Sequence, residues 1–239
     1  MRNVLAACAV ISMVGASASA TMISTFDSYS NGQALHNVDG WKGWNNVSSV
    51  AGLVSSARAY SGTNSLAIGP GNIDAVNLVQ AATSGTWNIT AMQYIASGQT
   101  GLTYFILMNS YQDNGNTSSD YWSVQLKFDL AGGTVRDDFR GGSVAIQYNA
   151  WVPIQVQVNL DANTVSQYYN GTLVASGSWR RGSGSLNAIQ AIDLYNNGSN
   201  TTYYDDVTVQ PAVSANVPAP GAIATTGLAM LLLTPRRKR

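Results

Sequence analysis

Ten residues, "WVPIQVQVNL" from Trp151 to Leu160, limit what this chain can become more than any others. Ile154, Val156, Val158 and Leu160 alternate with Gln155, Gln157 and Asn159, a period of two that makes one apolar and one polar face only on a β-strand. Nine residues beyond Asp161, Asn170-Gly171 separates "SQYY" from "TLVA". A two-residue turn with positive φ at both central positions suits Asn-Gly, so the pair predicts a hairpin. "TYFILMNS" and "YWSVQLKFDL" are equally rich in β-branched and aromatic residues. "NSYQDNGNTSSD", "DLAGGT", "RGGS" and "NNGSN" punctuate them as turns. No stretch carries a sustained helical period. The expectation is an all-β chain of a dozen or so short strands folded as a two-sheet sandwich. Trp87 and Trp151, both within strand patterns, are expected in its core.

The two ends differ from this middle. "MRNVLAACAVISMVGASASA" has a cation at Arg2, an apolar run and small residues up to Ala20, the layout of a signal peptide over residues 1–20. The only cysteine, Cys8, would leave with it, so the mature chain could form no disulfide. At the other end, residues 212–239 form a linker, an apolar run from Ala222 to Leu233, and Arg236, Arg237, Lys238 and Arg239. Twelve residues make a helix of about 18 Å, short against a hydrocarbon core of about 30 Å. Cations after the run would stay cytoplasmic. The expectation is a transient hold at the inner membrane during export.

The tail resembles the PEP-CTERM sorting signal of Gram-negative bacteria in its order of a Pro-x-Pro motif (Pro218, Pro220), a hydrophobic helix and a basic end. Ala219 stands where the family motif has Glu. The resemblance implies an exosortase-type processing enzyme as a partner, and delivery to the cell surface or extracellular matrix.

Between the ends, residues 21–211 suffice for one domain. They carry seven of the twelve Lys and Arg and all twelve acids, every one Asp, a net charge of −5. No basic patch exists to neutralise phosphates, which argues against nucleic acid as a partner. "FDSYSNGQALHNVDGWKGW", "ARAYSGTNSLAI", "WVPIQVQVNLDANTVSQYYNGTLVA" and "YYDDVTV" look like a LamG-like, concanavalin A-like jelly roll. That resemblance implies a fold shared by lectins, carbohydrate-binding modules, hydrolases and adhesive spacers.

Without Glu, the Glu-based acid/base pair of glucanases of this fold is excluded; two Asp remain possible as a glycosidase pair. The adjacent acids Asp137-Asp138 and Asp205-Asp206 should point to opposite faces on a strand. His36, the sole histidine, lies in a polar loop with no G-x-S-x-G beside it. No catalytic residue is assigned. Asp27, after the first strand, and Asp205 and Asp206, at the start of the last, could converge on a hard cation, because first and last strands of a jelly roll often pair. The resemblance adds that many such sandwiches hold a structural calcium near their termini. For sugar binding, aromatic faces that stack on pyranose rings are the requirement. Trp41, Trp44, Tyr111, Tyr121, Trp122 and Trp179, in or beside polar loops, are the candidates.

The leading expectation is a secreted, surface- or matrix-destined, non-catalytic protein whose jelly roll binds a polysaccharide or other envelope glycan. Its alternatives are a structural or adhesion module that binds no sugar, and a polysaccharide hydrolase or lyase.

Overall fold

The computed structural model describes residues 22–115 and 117–212. The signal-peptide reading of residues 1–20 and the sorting-signal reading of Pro218, Pro220, Arg236, Arg237, Lys238 and Arg239 lie outside the described residues.

Fifteen strands form among the described residues. The first five are β1 (Met22–Ser24), β2 (Trp41–Lys42), β3 (Leu53–Ser55), β4 (Ser65–Ile68) and β5 (Asp74–Ala82). Then come β6 (Thr86–Tyr94), β7 (Leu102–Ser110), β8 (Tyr121–Asp129), β9 (Thr134–Asp137) and β10 (Gly141–Ala145). The last are β11 (Trp151–Asn159), β12 (Thr164–Tyr169), β13 (Thr172–Ser178), β14 (Ile189–Asn197) and β15 (Thr202–Pro211).

They build two antiparallel sheets. One runs β13-β12-β11-β6-β15-β4-β3, with β1 also on β15; the other runs β10-β9-β8-β7-β14-β5-β2. The protein is an all-β, two-sheet antiparallel jelly-roll sandwich. β11 and β12 lie side by side in one sheet, whereas β5 and β14, more than a hundred residues apart in the chain, pair in the other.

The alternation in β11 is the one its sequence dictates: Val152, Ile154, Val156 and Val158 are fully covered, and the residues between them are not. The Asn170-Gly171 turn between β12 and β13 has φ of 48° and 73° at its two residues, the positive pair a two-residue hairpin requires. The core between the sheets gathers Phe105, Leu107, Leu126 and Phe128 from one sheet against Ile89, Ile154, Val156 and Tyr204 from the other. Trp87 belongs to this core.

Trp151 does not. It is half-buried and lies one residue out of phase with Val152 and Ile154, so the period of two turns it to the outer face. There its ring meets Tyr94 at 5.7 Å and Tyr60 at 6.1 Å.

Asp205 and Asp206 fall in the middle of β15 rather than at its start. Thr202 and Tyr204 point into the sandwich, and so do Val207 and Val209, a slip of one residue. A bulge absorbs it: the register with β6 shifts between Asp205 and Thr208, and Asp206 takes φ 45°. The bulge also overrides the simple expectation that adjacent acids face opposite ways. Asp205 Oδ2 accepts hydrogen bonds from Tyr60 N and Ser61 N, and Asp206 Oδ1 accepts one from Ser61 Oγ. Both acids hold the same loop.

Candidate functional site

β14 reads "IQAIDLYNN". Ile192 and Leu194 enter the core between the sheets, so Ala191, Asp193 and Tyr195 must face the other way. Register then builds the floor of a groove on that face. Asp193 lies opposite Val76 on β5 and Ile106 on β7; Tyr195 lies opposite Asp74 and Tyr104. On β8, Gln125 is opposite Ile106 and Trp122 is opposite Met108. A second apolar cluster of Val76, Ile106, Met108, Tyr111 and Ala191 results, with Trp44, Tyr104, Trp122 and Tyr195 packed on it.

Above this floor sits the turn at Trp44–Asn46, which follows β2. Asn45 N donates to Tyr111 Oη at 3.0 Å, and Tyr111 Oη donates to Asp113 Oδ1 at 3.3 Å. Lys42 Nζ pairs with Asp113 Oδ2 at 2.5 Å. These bonds hold the turn to the loop after β7, and burial pushes the Tyr111 hydroxyl well above its ordinary range. The Trp44 ring packs 5.0 Å from Tyr111 and lies near-parallel to Trp122, 6.4 Å away with 18° between planes. Tyr104 and Tyr195 stack at 5.8 Å and 27°. A cavity of about 450 Å³ opens beside Trp44 and Trp122, with Asn45, Asp74, Gln125, Asp193 and Tyr195 among the residues that line it.

Asp74 and Asp193 are 6% and 3% exposed and lie close enough for each to perturb the other's proton. Burial raises both carboxyl groups above the ordinary range, and the charge of Asp193 adds to the rise at Asp74. Two buried carboxyl groups so placed cannot both ionise readily, so the pair keeps a proton. Oδ1 of each has no hydrogen-bond partner.

Of the six aromatic candidates, the fold brings Trp44 and Trp122 to the wall of this groove, while Tyr111, 7% exposed and outside the cavity lining, packs against Trp44 as part of the buried cluster beneath. Tyr121 is half-buried at the start of β8, with its hydroxyl against Gly184. Trp41 and Trp179 are a correction to the sugar-stacking expectation. Both are fully covered, and a ring with no free face has none to offer a sugar. Trp41 Nε1 donates to Ser24 Oγ at 3.0 Å and its ring packs on Phe26, 5.8 Å away; Trp179 Nε1 donates to Ala188 O at 3.1 Å. Large rings that satisfy their one donor internally are core residues, even beside Gly-rich loops. His36 accepts a 3.4 Å hydrogen bond from Gly43 N at Nδ1 and lies outside the groove.

The calcium candidates do not converge. β1 pairs with β15 as the fold class leads one to expect, Met22 opposite Val209. Yet the loop from Tyr60 to Asn64 runs between Asp27 and the Asp205–Asp206 bulge and occupies their oxygens. Asp27 Oδ1 accepts Thr63 N at 2.7 Å and Asn64 N at 3.0 Å, which holds this exposed carboxyl below its ordinary range. Asp205 rises through burial, partly offset by its bonds from Tyr60, Asp206 and Ser61. Among the described residues no three acidic, His or Cys side chains gather as a metal cage. The oxygens that the loop engages, Asp27 Oδ1, Asp205 Oδ2 and Asp206 Oδ1, act as a loop clamp.

Asp74, Asp193, Gln125, Tyr104 and Tyr195 were not among the sequence candidates. One signal was available: Asp193 is a lone acid inside the apolar run "AIQAIDLY".

No protein-family model matches the chain, and no curated protein sequence matches it. Solved structures do. A transglycosylase, Crh5 in its apo form, superposes with a TM-score of 0.51 at 14% identity, over 82% of this chain and 85% of that one. A sialidase gives a TM-score of 0.54 at 8% identity over 81% of this chain. This chain spans only 19% of that sialidase's length. The carbohydrate-binding module CBM66 from Bacillus subtilis gives 0.44 at 15% identity, over 73% of this chain and 97% of the module. At such identities the likeness concerns the fold.

Proposed function

We propose that this chain is a secreted, surface- or matrix-destined protein without catalytic activity, whose jelly roll binds a polysaccharide in the groove over β8, β7, β14 and β5. One observation carries the reading: Trp44 and Trp122 lie near-parallel on the sheet face turned away from the core, beside a cavity with polar groups on its floor. Aromatic faces next to hydrogen-bonding groups are what a pyranose, apolar on its faces and polar at its rim, requires. About 450 Å³ is the size of a small-ligand site.

The contact between Asp74 and Asp193 supports the non-catalytic reading. Glycosidases need carboxyl groups about 5–10 Å apart, with room for a glycosidic oxygen or a water between them. These two are near neighbours on the paired strands β14 and β5, each close enough to perturb the other's proton.

Export rests on the sequence of the two ends: the leader to Ala20, then Pro218, Pro220 and the basic end at Arg236 to Arg239. The tail would hold the protein at the inner membrane until an exosortase-type enzyme releases it to the surface.

Thermal melts of the purified full chain against a panel of soluble polysaccharides test the binding. A ligand at about 100 times its dissociation constant stabilises a fold by about 2.7 kcal/mol. A shift with one glycan class supports the reading. A flat response to all of them turns it toward a structural module. Fractionation of expressing cells, with and without residues 213–239, tests the route.

A further inference from the structure

The groove contains an imbalance of charge that a neutral sugar leaves uncorrected. Asp74 and Asp193 are both more than nine-tenths buried and line the cavity, and no Lys or Arg is among the described residues that line it with them. Of the cations on this face, Lys42 is committed to Asp113, and Lys127, opposite Tyr104 on β8, is committed to Asp138. The pair is therefore neutralised only by the proton it keeps, and its Oδ1 atoms have no hydrogen-bond partner. Trp44 and Trp122 form the neighbouring wall, with Tyr195 beside Asp74. Aromatic faces above an acidic floor are the surroundings in which an ammonium is better placed than in water, through the ring quadrupole and the carboxylate together.

Building on the proposed glycan groove, we infer that the group seated on Asp74 and Asp193 is a protonated amine, so that the ligand is a polymer of amino sugars with free amino groups. The cation takes the place of the retained proton. On binding, the acid–carboxylate pair and an ammonium become two carboxylates, an ammonium and one proton released to solvent. Polyuronates and sulfated glycans are disfavoured by the same floor, since their charge would meet two acids and no partner.

Few other groups bear on this equilibrium. Tyr195 from β14, Tyr111 after β7 and Tyr204 across the sheet from β15 feel the pair, and burial holds all three protonated beyond their ordinary range. Asn45 and Gln125 complete the lining without charge.

Isothermal titration of the purified full chain tests this, with hexasaccharides of glucosamine, N-acetylglucosamine, glucose and galacturonate as probes. Runs at about pH 6, where the amine is charged, in buffers of differing ionisation heat count the protons exchanged. The inference expects the glucosamine hexamer to bind at least about tenfold tighter than its acetylated counterpart, with net proton release. Asp193→Asn and Asp74→Asn should each abolish that preference, and Asp161→Asn, which removes an equal charge at an exposed site, should keep it. Equal binding of the acetylated or glucose hexamer leaves the glycan groove standing and overturns the ammonium. An equal loss in Asp161→Asn overturns it too, by reducing the effect to net charge. Binding by none of the probes, galacturonate included, overturns the ammonium and removes the main support for the groove as a glycan site. Proton release and the effect of acetylation are read on the unaltered chain, so both remain decisive if a variant fails to fold.

Discussion

Arg140 Nη1 donates to Asp137 Oδ2 at 2.6 Å inside the sandwich, with the aspartate side chain wholly buried and the arginine only 10% exposed. The same guanidinium donates through Nη2 to Ser123 O on β8 and to Ser178 O on β13, so one side chain ties the two sheets together. Gln167 on β12 adds Nε2 as a further donor to Asp137. Removing one partner of a buried ion pair strands the other charge. Arg140→Ala should therefore cost about 3–5 kcal/mol in urea unfolding. A cost below about 1 kcal/mol, the range of an exposed pair, would show that water reaches the site.

Trp122 and Trp179 offer a paired test of groove against core. Trp122→Ala removes a wall of the groove and should weaken polysaccharide binding by about tenfold, the scale of one aromatic contact. Its effect on the melting temperature should be small. Trp179→Ala empties a fully covered site and should cost about 3–5 kcal/mol of stability. Binding titrations and melts on both variants check the division; the reverse pattern would overturn it.

The Asp74–Asp193 pair sets a pH dependence of definite sign. In the unfolded chain both acids titrate near the ordinary value of about 3.9. In the fold both are raised, so above that value the folded chain holds more protons than the unfolded one. This contribution to stability is complete below about pH 4 and is lost as pH rises through the raised values, at up to about 1.4 kcal/mol per pH unit for one proton. Asp74→Asn keeps a donor toward Asp193 without the charge. It should raise the melting temperature at about pH 8 and flatten the slope between about pH 4 and pH 8. Melts across that range decide; an unchanged slope means the pair is not its source.

The loop clamp at Asp27 and the β15 bulge gives two expectations. Because N–H donors occupy Asp27 Oδ1 and both oxygens of Asp205, EDTA should leave the melting temperature unchanged, and a fall would restore the calcium expectation. Gly62, within that loop, has φ 56° and would press an added Cβ onto the Asp27 carboxylate. Gly62→Ala should destabilise by about 1–3 kcal/mol, from strain at positive φ combined with the clash. Urea unfolding measures it.

The sandwich was legible in the sequence because a strand's period of two is local: β11 and the Asn170-Gly171 hairpin show it over a dozen residues each. Phase was harder to read. Trp151 looks like a core residue until it is counted against Val152, and the bulge at Asp206 shifts a phase that no local pattern marks. The groove was legible by half. Trp44, Tyr111 and Trp122 announce themselves as aromatics near polar loops, but so do Trp41 and Trp179, and only packing separates ring from ring. Asp74 and Asp193 become a pair solely through the pairing of β5 with β14, a contact between segments more than a hundred residues apart. Each alone is one acid in an apolar run.

β15 carries the chain out of the domain, and it is an interior strand, bonded to β6 on one side and to β4 and β1 on the other. A tension applied at residue 212 against a ligand held in the groove would drag β15 lengthwise past those neighbours. Every rung would resist at once. Pulled instead by its two ends, the domain would yield at β1, whose three residues part from β15 one rung at a time beginning where Met22 faces Val209. Tension on the last strand is thus met by many rungs together, and tension on the first by one rung at a time.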